Sequence, residues 1–138
     1  MKRKIISFIT LICIVIVTAC CLVACKKEPV KLDGDYVVIT ATKEANGKTL
    51  LAFMEDLKAE DKLSFEINNG MVTSINGKAN AGDYSVCWML YTSDGENSND
   101  AWGIVIYEDK QYGSAKLGAE ALVVKEGETY IWWYQIFN

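Results

Sequence analysis

The stretch from Thr129 to Phe137 is apolar on both of its alternating rows: Tyr130, Trp132, Tyr134 and Ile136 on one, Ile131, Trp133 and Phe137 on the other. Successive side chains of a strand point to opposite faces. A strand with two apolar rows must therefore be covered on both sides, as a central strand is. That requirement rules out a single exposed sheet. It also splits neighbouring Trp132 and Trp133: at most one reaches the main core, and the other covers the second face or meets a partner.

The segments upstream supply the layers. Tyr36 to Thr42 is β-branched and reads as a strand. Leu50, Phe53, Met54 and Leu57 recur at helical spacing, so Thr49 to Lys58 reads as an amphipathic helix with Thr49 as its N-cap. Leu63 to Ile67 alternates, Asn68-Asn69-Gly70 signals a hairpin, and Met71 to Ile75 is its partner, ended by Asn76-Gly77. Tyr84 to Thr92, Trp102 to Tyr107 and Ala121 to Val124 read as further strands, with a polar loop from Asp94 to Asp100. One helix among six or seven strands gives an α+β fold, the helix packed on a mostly antiparallel, curved sheet.

The N-terminus has a different character. Met1-Lys2-Arg3-Lys4 is basic, and Ile5 to Val17 is apolar apart from Ser7, Thr10 and Cys13. This is the layout of an export signal. Leu22-Val23-Ala24-Cys25 resembles the lipobox of bacterial lipoproteins, which implies cleavage before Cys25 and a diacylglyceryl group on its thiol. Two acyl chains give stable anchoring where one would not. Val17-Thr18-Ala19-Cys20 also fits the box and leaves Cys20 as an alternative. A third reading keeps Ile5 to Ala24 as an uncleaved membrane helix, since about 20 apolar residues suffice to span. On the main reading residues 1–24 are the signal helix, 25–34 are the lipidated cysteine and a polar tether, and 35–138 are one domain on the extracytoplasmic face of the membrane.

Of the 138 residues, a 24-residue leader leaves 114, with 11 basic and 18 acidic side chains and a net charge of −7. Phosphate binding needs clustered Lys and Arg, so a nucleic-acid partner is excluded. The same balance argues against electrostatic attraction to a membrane surface. Cys87 is the one cysteine after Cys25, so no internal disulfide follows from export. The chain has no histidine, which excludes His-based metal sites and triads. It also has no Gly-x-Ser-x-Gly elbow and no phosphate-cradling glycine loop. No catalytic residue, cofactor or metal is assigned, and the chain is not expected to be an enzyme. Asp94, Glu96, Asn97, Asn99 and Asp100 look like a loose calcium loop but lack the EF-hand glycine and terminal glutamate. Cys87, mid-strand, reads as a small buried hydrophobe.

Val72-Thr73-Ser74-Ile75-Asn76-Gly77, then Cys87-Trp88-Met89-Leu90-Tyr91, then Lys125-Glu126-Gly127-Glu128 leading into Tyr130-Ile131-Trp132-Trp133-Tyr134 occur in that order. This series resembles a family of domains of unknown function that are similar to the C-terminal β domain of transcobalamin and intrinsic factor. The resemblance covers roughly residues 35–135. It implies a β-grasp-like ligand-binding domain and a small, corrinoid-like ligand.

Eleven of the 14 aromatics after Cys25 lie from Tyr84 onward. Trp and Tyr offer flat platforms with one polar handle, so Trp88, Tyr91, Trp102, Trp132 and Trp133 are the candidate ligand-binding aromatics. Trp102, between a polar loop and a strand, is expected at a rim. Asn76 and Asp83, around Gly77 and Gly82, are candidate hydrogen-bonding partners, with ordinary turn chemistry as the other reading. Two functions stay open: capture of a small ligand, or contact with another protein of the cell envelope. A concave aromatic pocket favours the first and a flat exposed patch the second.

Overall fold

The structure, a computed structural model, describes residues 27–137. The export signal, Cys20 and Cys25 lie outside the described residues. Among those described, no helix is long and apolar enough to cross a membrane.

The fold is α+β. Among the described residues nine strands form two antiparallel sheets: β1 (Val30–Asp33), β2 (Tyr36–Thr40), β3 (Phe65–Asn68), β4 (Met71–Ile75), β5 (Lys78–Ala79), β6 (Val86–Thr92), β7 (Ser98–Tyr107), β8 (Lys110–Ala115) and β9 (Thr129–Ile136). The larger sheet has six strands in the order β1-β2-β9-β6-β8-β7, and the smaller is a β3-β4-β5 meander. The helix α1 (Leu50–Ala59) opens on Thr49, whose Oγ1 accepts the Ala52 N–H at 3.2 Å. It buries Leu50, Phe53, Met54 and Leu57.

The two apolar rows of β9 are covered as the alternation requires. Tyr130 and Trp132 join Val37 and Ile39 of β2 and Trp88 and Leu90 of β6 in a main core under α1 and the small sheet. Ile131 joins Val38, Tyr91, Val105, Tyr107 and Tyr112 in a second core on the opposite face, with Tyr36, Met89 and Trp133 packed against it. This second core exists because the sheet rolls up. Its edge strands, β1 and β7, are bound across the gap by Lys31–Glu108 (2.6 Å) and by the Tyr107 hydroxyl donating to Asp33 Oδ2 (2.9 Å).

Turn chemistry sets the hairpins. Asn69-Gly70 and Asn76-Gly77 are two-residue loops with both residues at positive φ (50° and 78°; 48° and 79°). That conformation matches the twist of paired strands and favours Asn-Gly. Glu108-Asp109 adopts the same sign of φ (47° and 61°) between β7 and β8 without a glycine.

Four expectations are corrected. Val30–Asp33, assigned to the tether, is the edge strand β1, registered on Val37 and its neighbours. Ser98 to Asp100, assigned to the polar loop, begin β7. Ala121 to Val124 is not a sheet strand. Leu122 and Val124 are buried, but their carbonyls accept from Leu50 and Gly47 and the Val124 N–H donates to Lys48, all at the head of α1, and burial of every second residue mimics a strand there. Finally, the strand expected from Tyr84 starts at Val86, because Tyr84 sits at φ 59°.

Candidate functional site

A groove of about 280 Å³ opens where the small sheet meets the rolled one. One wall is Gly70, Met71 and Val72 at the β3–β4 turn; the other is residues 114–119, which leave β8. Trp88, Leu90 and Trp132 contribute from the central strands, and Trp102 from β7. Three of the four tryptophans therefore line one concavity. Trp88 and Trp132 are buried walls, whereas Trp102 is 61% exposed and stands at the mouth with Met71 and Leu117, also exposed.

The indole N–H groups of the two buried walls differ. Trp88 Nε1 donates to the Lys78 carbonyl at 2.7 Å. Trp132 Nε1 is fully buried and has no acceptor among the described residues. Leaving a buried donor unpaired costs about 1–3 kcal/mol. The other polar group in the walls is satisfied: Ser114 Oγ donates to Asn99 Oδ1 at 2.8 Å and accepts the Trp102 N–H at 3.3 Å. Lys116 is the charged residue of the lining, and its ammonium donates to the Glu96 carbonyl at 2.9 Å.

The remaining candidates lie elsewhere. Tyr91 is fully buried in the second core, its hydroxyl within hydrogen-bonding distance of the Trp102 carbonyl (3.0 Å) and Gln135 Oε1 (2.7 Å). Burial pushes that hydroxyl above the ordinary tyrosine range. Trp133 packs on the same face, stacked on Tyr36 with ring centroids 5.8 Å apart. Asn76 and Asp83 do not reach the groove. Asn76 Oδ1 accepts the Ser64 N–H at 2.9 Å, closing a turn against the head of the small sheet. Asp83 Oδ1 accepts the Ser85 hydroxyl (2.7 Å) and N–H (3.0 Å), which hold its carboxyl below the usual range. Cys87 is half-buried, and desolvation raises its thiol, the opposite of what a nucleophile needs.

Among the groove residues that sequence reasoning did not pick out are Met71, Ser114, Lys116 and Leu117. Leu117 carried the one usable signal, an apolar residue isolated in the polar run after Tyr112.

The acidic loop is organised around Asp94. This buried carboxylate accepts from Asn97 Nδ2 (2.6 Å), Lys125 Nζ (3.0 Å) and the Glu96 N–H (3.1 Å). Glu96 in turn pairs with Lys125 at 2.5 Å. A larger cleft, about 810 Å³, lies between residues 27–29 and α1. Its charged walls pair with one another, Lys48 with Asp56 (2.5 Å) and Lys62 with Glu60 (2.8 Å), as a solvated face does.

Comparison with known proteins gave no match to a family model, to a curated protein or to a solved structure.

Proposed function

We propose that the chain is a lipid-anchored binding module on the extracytoplasmic face of the membrane, and that the tryptophan groove captures a small ligand. One observation carries the ligand reading: three indoles, Trp88, Trp102 and Trp132, wall one concavity, and behind that wall the buried Trp132 Nε1 has no acceptor among the described residues. An apolar ring or short chain bearing one hydrogen-bond acceptor matches those walls and that donor. Binding rather than catalysis fits the lining. Its one charged residue, Lys116, donates to a backbone carbonyl, and its one buried hydroxyl, Ser114, donates to Asn99.

The resemblance to the transcobalamin-like domains extends the proposal to a β-grasp-like relative with a corrinoid-like ligand, supported by the helix α1 laid over antiparallel strands. The groove volume, about 280 Å³, lies just below the usual span of ligand sites, about 300–1,000 Å³. A corrin-sized molecule would rest across the mouth, on Trp102, rather than inside.

The test is a fluorescence and thermal-shift screen of residues 26–138 with a corrinoid and a panel of apolar rings carrying carbonyl groups. A ligand should quench tryptophan emission and raise the melting temperature. Trp102→Ala should then weaken binding by about threefold to tenfold at unchanged stability, since stacking is worth about 0.5–1.5 kcal/mol. Trp132→Phe should weaken the carbonyl-bearing compounds selectively. Absence of quenching across the panel refutes the small-ligand reading.

A further inference from the structure

The outer side of the β1–β7 seam carries an apolar stripe. Leu32 lies opposite Val37 in the β1–β2 register, so it points to the main-core face of the sheet. Val105 and Tyr107 point into the second core, so Ile104 and Ile106 share the face of Leu32. All three extend beyond the cover of α1 and the small sheet: Leu32 is 59%, Ile104 52% and Ile106 67% exposed. The bridges Tyr107–Asp33 and Lys31–Glu108 bring the two edges together. Leu32, Ile104 and Ile106 therefore share the outer face of the seam, and exposed Trp102 lies further along β7. From Ala101 to Tyr107 the strand carries no charge and no proline, so it lacks the usual guards of an exposed edge. The flanking carboxylates Asp33 and Glu108 are engaged by Tyr107 and Lys31; Asp100 precedes this stretch within β7, and Asp109 lies in the turn after it.

The position of β1 says what can cover this stripe. Four residues separate Cys25 from Val30, five Cα-to-Cα steps in all. Fully extended, they reach at most about 18 Å. We propose that the β1–β7 seam rests on the phospholipid interface, with Leu32, Ile104 and Ile106 entering it and Trp102 at headgroup level. This rests on lipidation at Cys25, the anchor of the proposed function. Tryptophan favours that depth, and apolar side chains need no basic patch to enter, which suits a domain of net charge −7.

The test uses the full chain, processed in membranes, purified and reconstituted into phosphatidylcholine vesicles with acyl chains brominated at defined carbons. Trp88 and Trp132 are buried and Trp133 faces the second core, so Trp102 reports contact. Its emission should be quenched most by bromines near the top of the chains, since an apolar face sinks about 5–10 Å into this boundary. The quench should vanish in Trp102→Phe. It should also vanish in Leu32→Ser/Ile104→Ser/Ile106→Ser, which alters only exposed side chains and should melt as the parent does. Mass spectrometry of the N-terminus separates the two failures. An unlipidated N-terminus overturns the anchor reading and this proposal with it. A lipidated protein with no quench, or with a quench the triple variant retains, overturns the seam alone. A stripe protected by self-association in detergent, without quench in vesicles, assigns it to a second copy instead and equally overturns the membrane contact.

Discussion

Lys125→Met tests how the fold tolerates a buried carboxylate. The Asp94 side chain is 4% exposed and is held by Asn97, Lys125 and the Glu96 amide. Burial alone pushes its carboxyl up; the bonds from Asn97 and Lys125 outweigh that and hold it below the usual range. Methionine keeps the length of the lysine stem and removes the ammonium. A hydrogen bond to a charged group is worth about 1.5–3 kcal/mol, and stripping one partner from a fully buried pair costs about 3–5 kcal/mol. The Lys125 side chain is 42% exposed, so water recovers part of that loss, and about 2 kcal/mol at pH 7 is the expected cost. For a domain of this size that lowers the melting temperature by about 8–12 °C. Because the folded carboxyl lies below its unfolded value of about 3.9, its contribution is in place above that pH and is lost as pH falls through the folded value. The variant starts without most of this contribution, so the gap between it and the parent should close on acidification. Urea unfolding of residues 26–138 at pH 7 and pH 3 measures both. A loss under about 0.5 kcal/mol at pH 7, the size of a surface pair, refutes the reasoning, and so does an equal loss at both pH values.

Two further substitutions probe the backbone of the β7–β8 hairpin. Asp109→Gly should stabilise by about 0.5–1 kcal/mol, because Asp109 holds φ 61° in a loop that favours glycine; a raised melting temperature checks it. Gly113→Ala should cost about 1–3 kcal/mol, because a Cβ there would stand 2.7 Å from the Asn99 carbonyl oxygen and 3.0 Å from Ser98 Cβ, neither of which is a flexible chain end; the urea midpoint should fall with an unchanged slope.

Much of the architecture was legible where one local rule operates. The doubled apolar rows of β9 called for two covered faces, and Thr49 with the Leu50–Leu57 spacing marked α1. Asn69-Gly70 marked the hairpin. Strand β8 escaped because its buried row is Tyr112 and Ser114, and a buried serine bonded to Asn99 gives no apolar alternation. β1 escaped because an edge strand with only Val30 half-buried and its other three residues exposed looks like a polar tether. Ala121 to Val124 deceived in the other direction, since packing against the head of α1 buries alternate residues as a sheet does. Within the site, adjacency split Trp132 from Trp133 but could not say which faced the groove. That depends on where residues 114–119 run, a tertiary fact. Asn76 and Asp83 served their own turns, bonding Ser64 and Ser85.

The place of β9 in the larger sheet has a consequence for assembly. It lies between β2 and β6, the latter paired to it along seven residues from Val86↔Ile136 to Thr92↔Tyr130. Until that strand arrives, β1-β2 and β6-β8-β7 are two fragments with no shared strand pairing, and both cores lack their central wall. A chain made or delivered from its N-terminus onward thus has nothing to close on while residues 30 to 128 emerge. Closure must wait for pairings about a hundred residues apart in sequence, the kind that make folding slow. The same order leaves both layers without their shared wall until β9 slots in between β2 and β6.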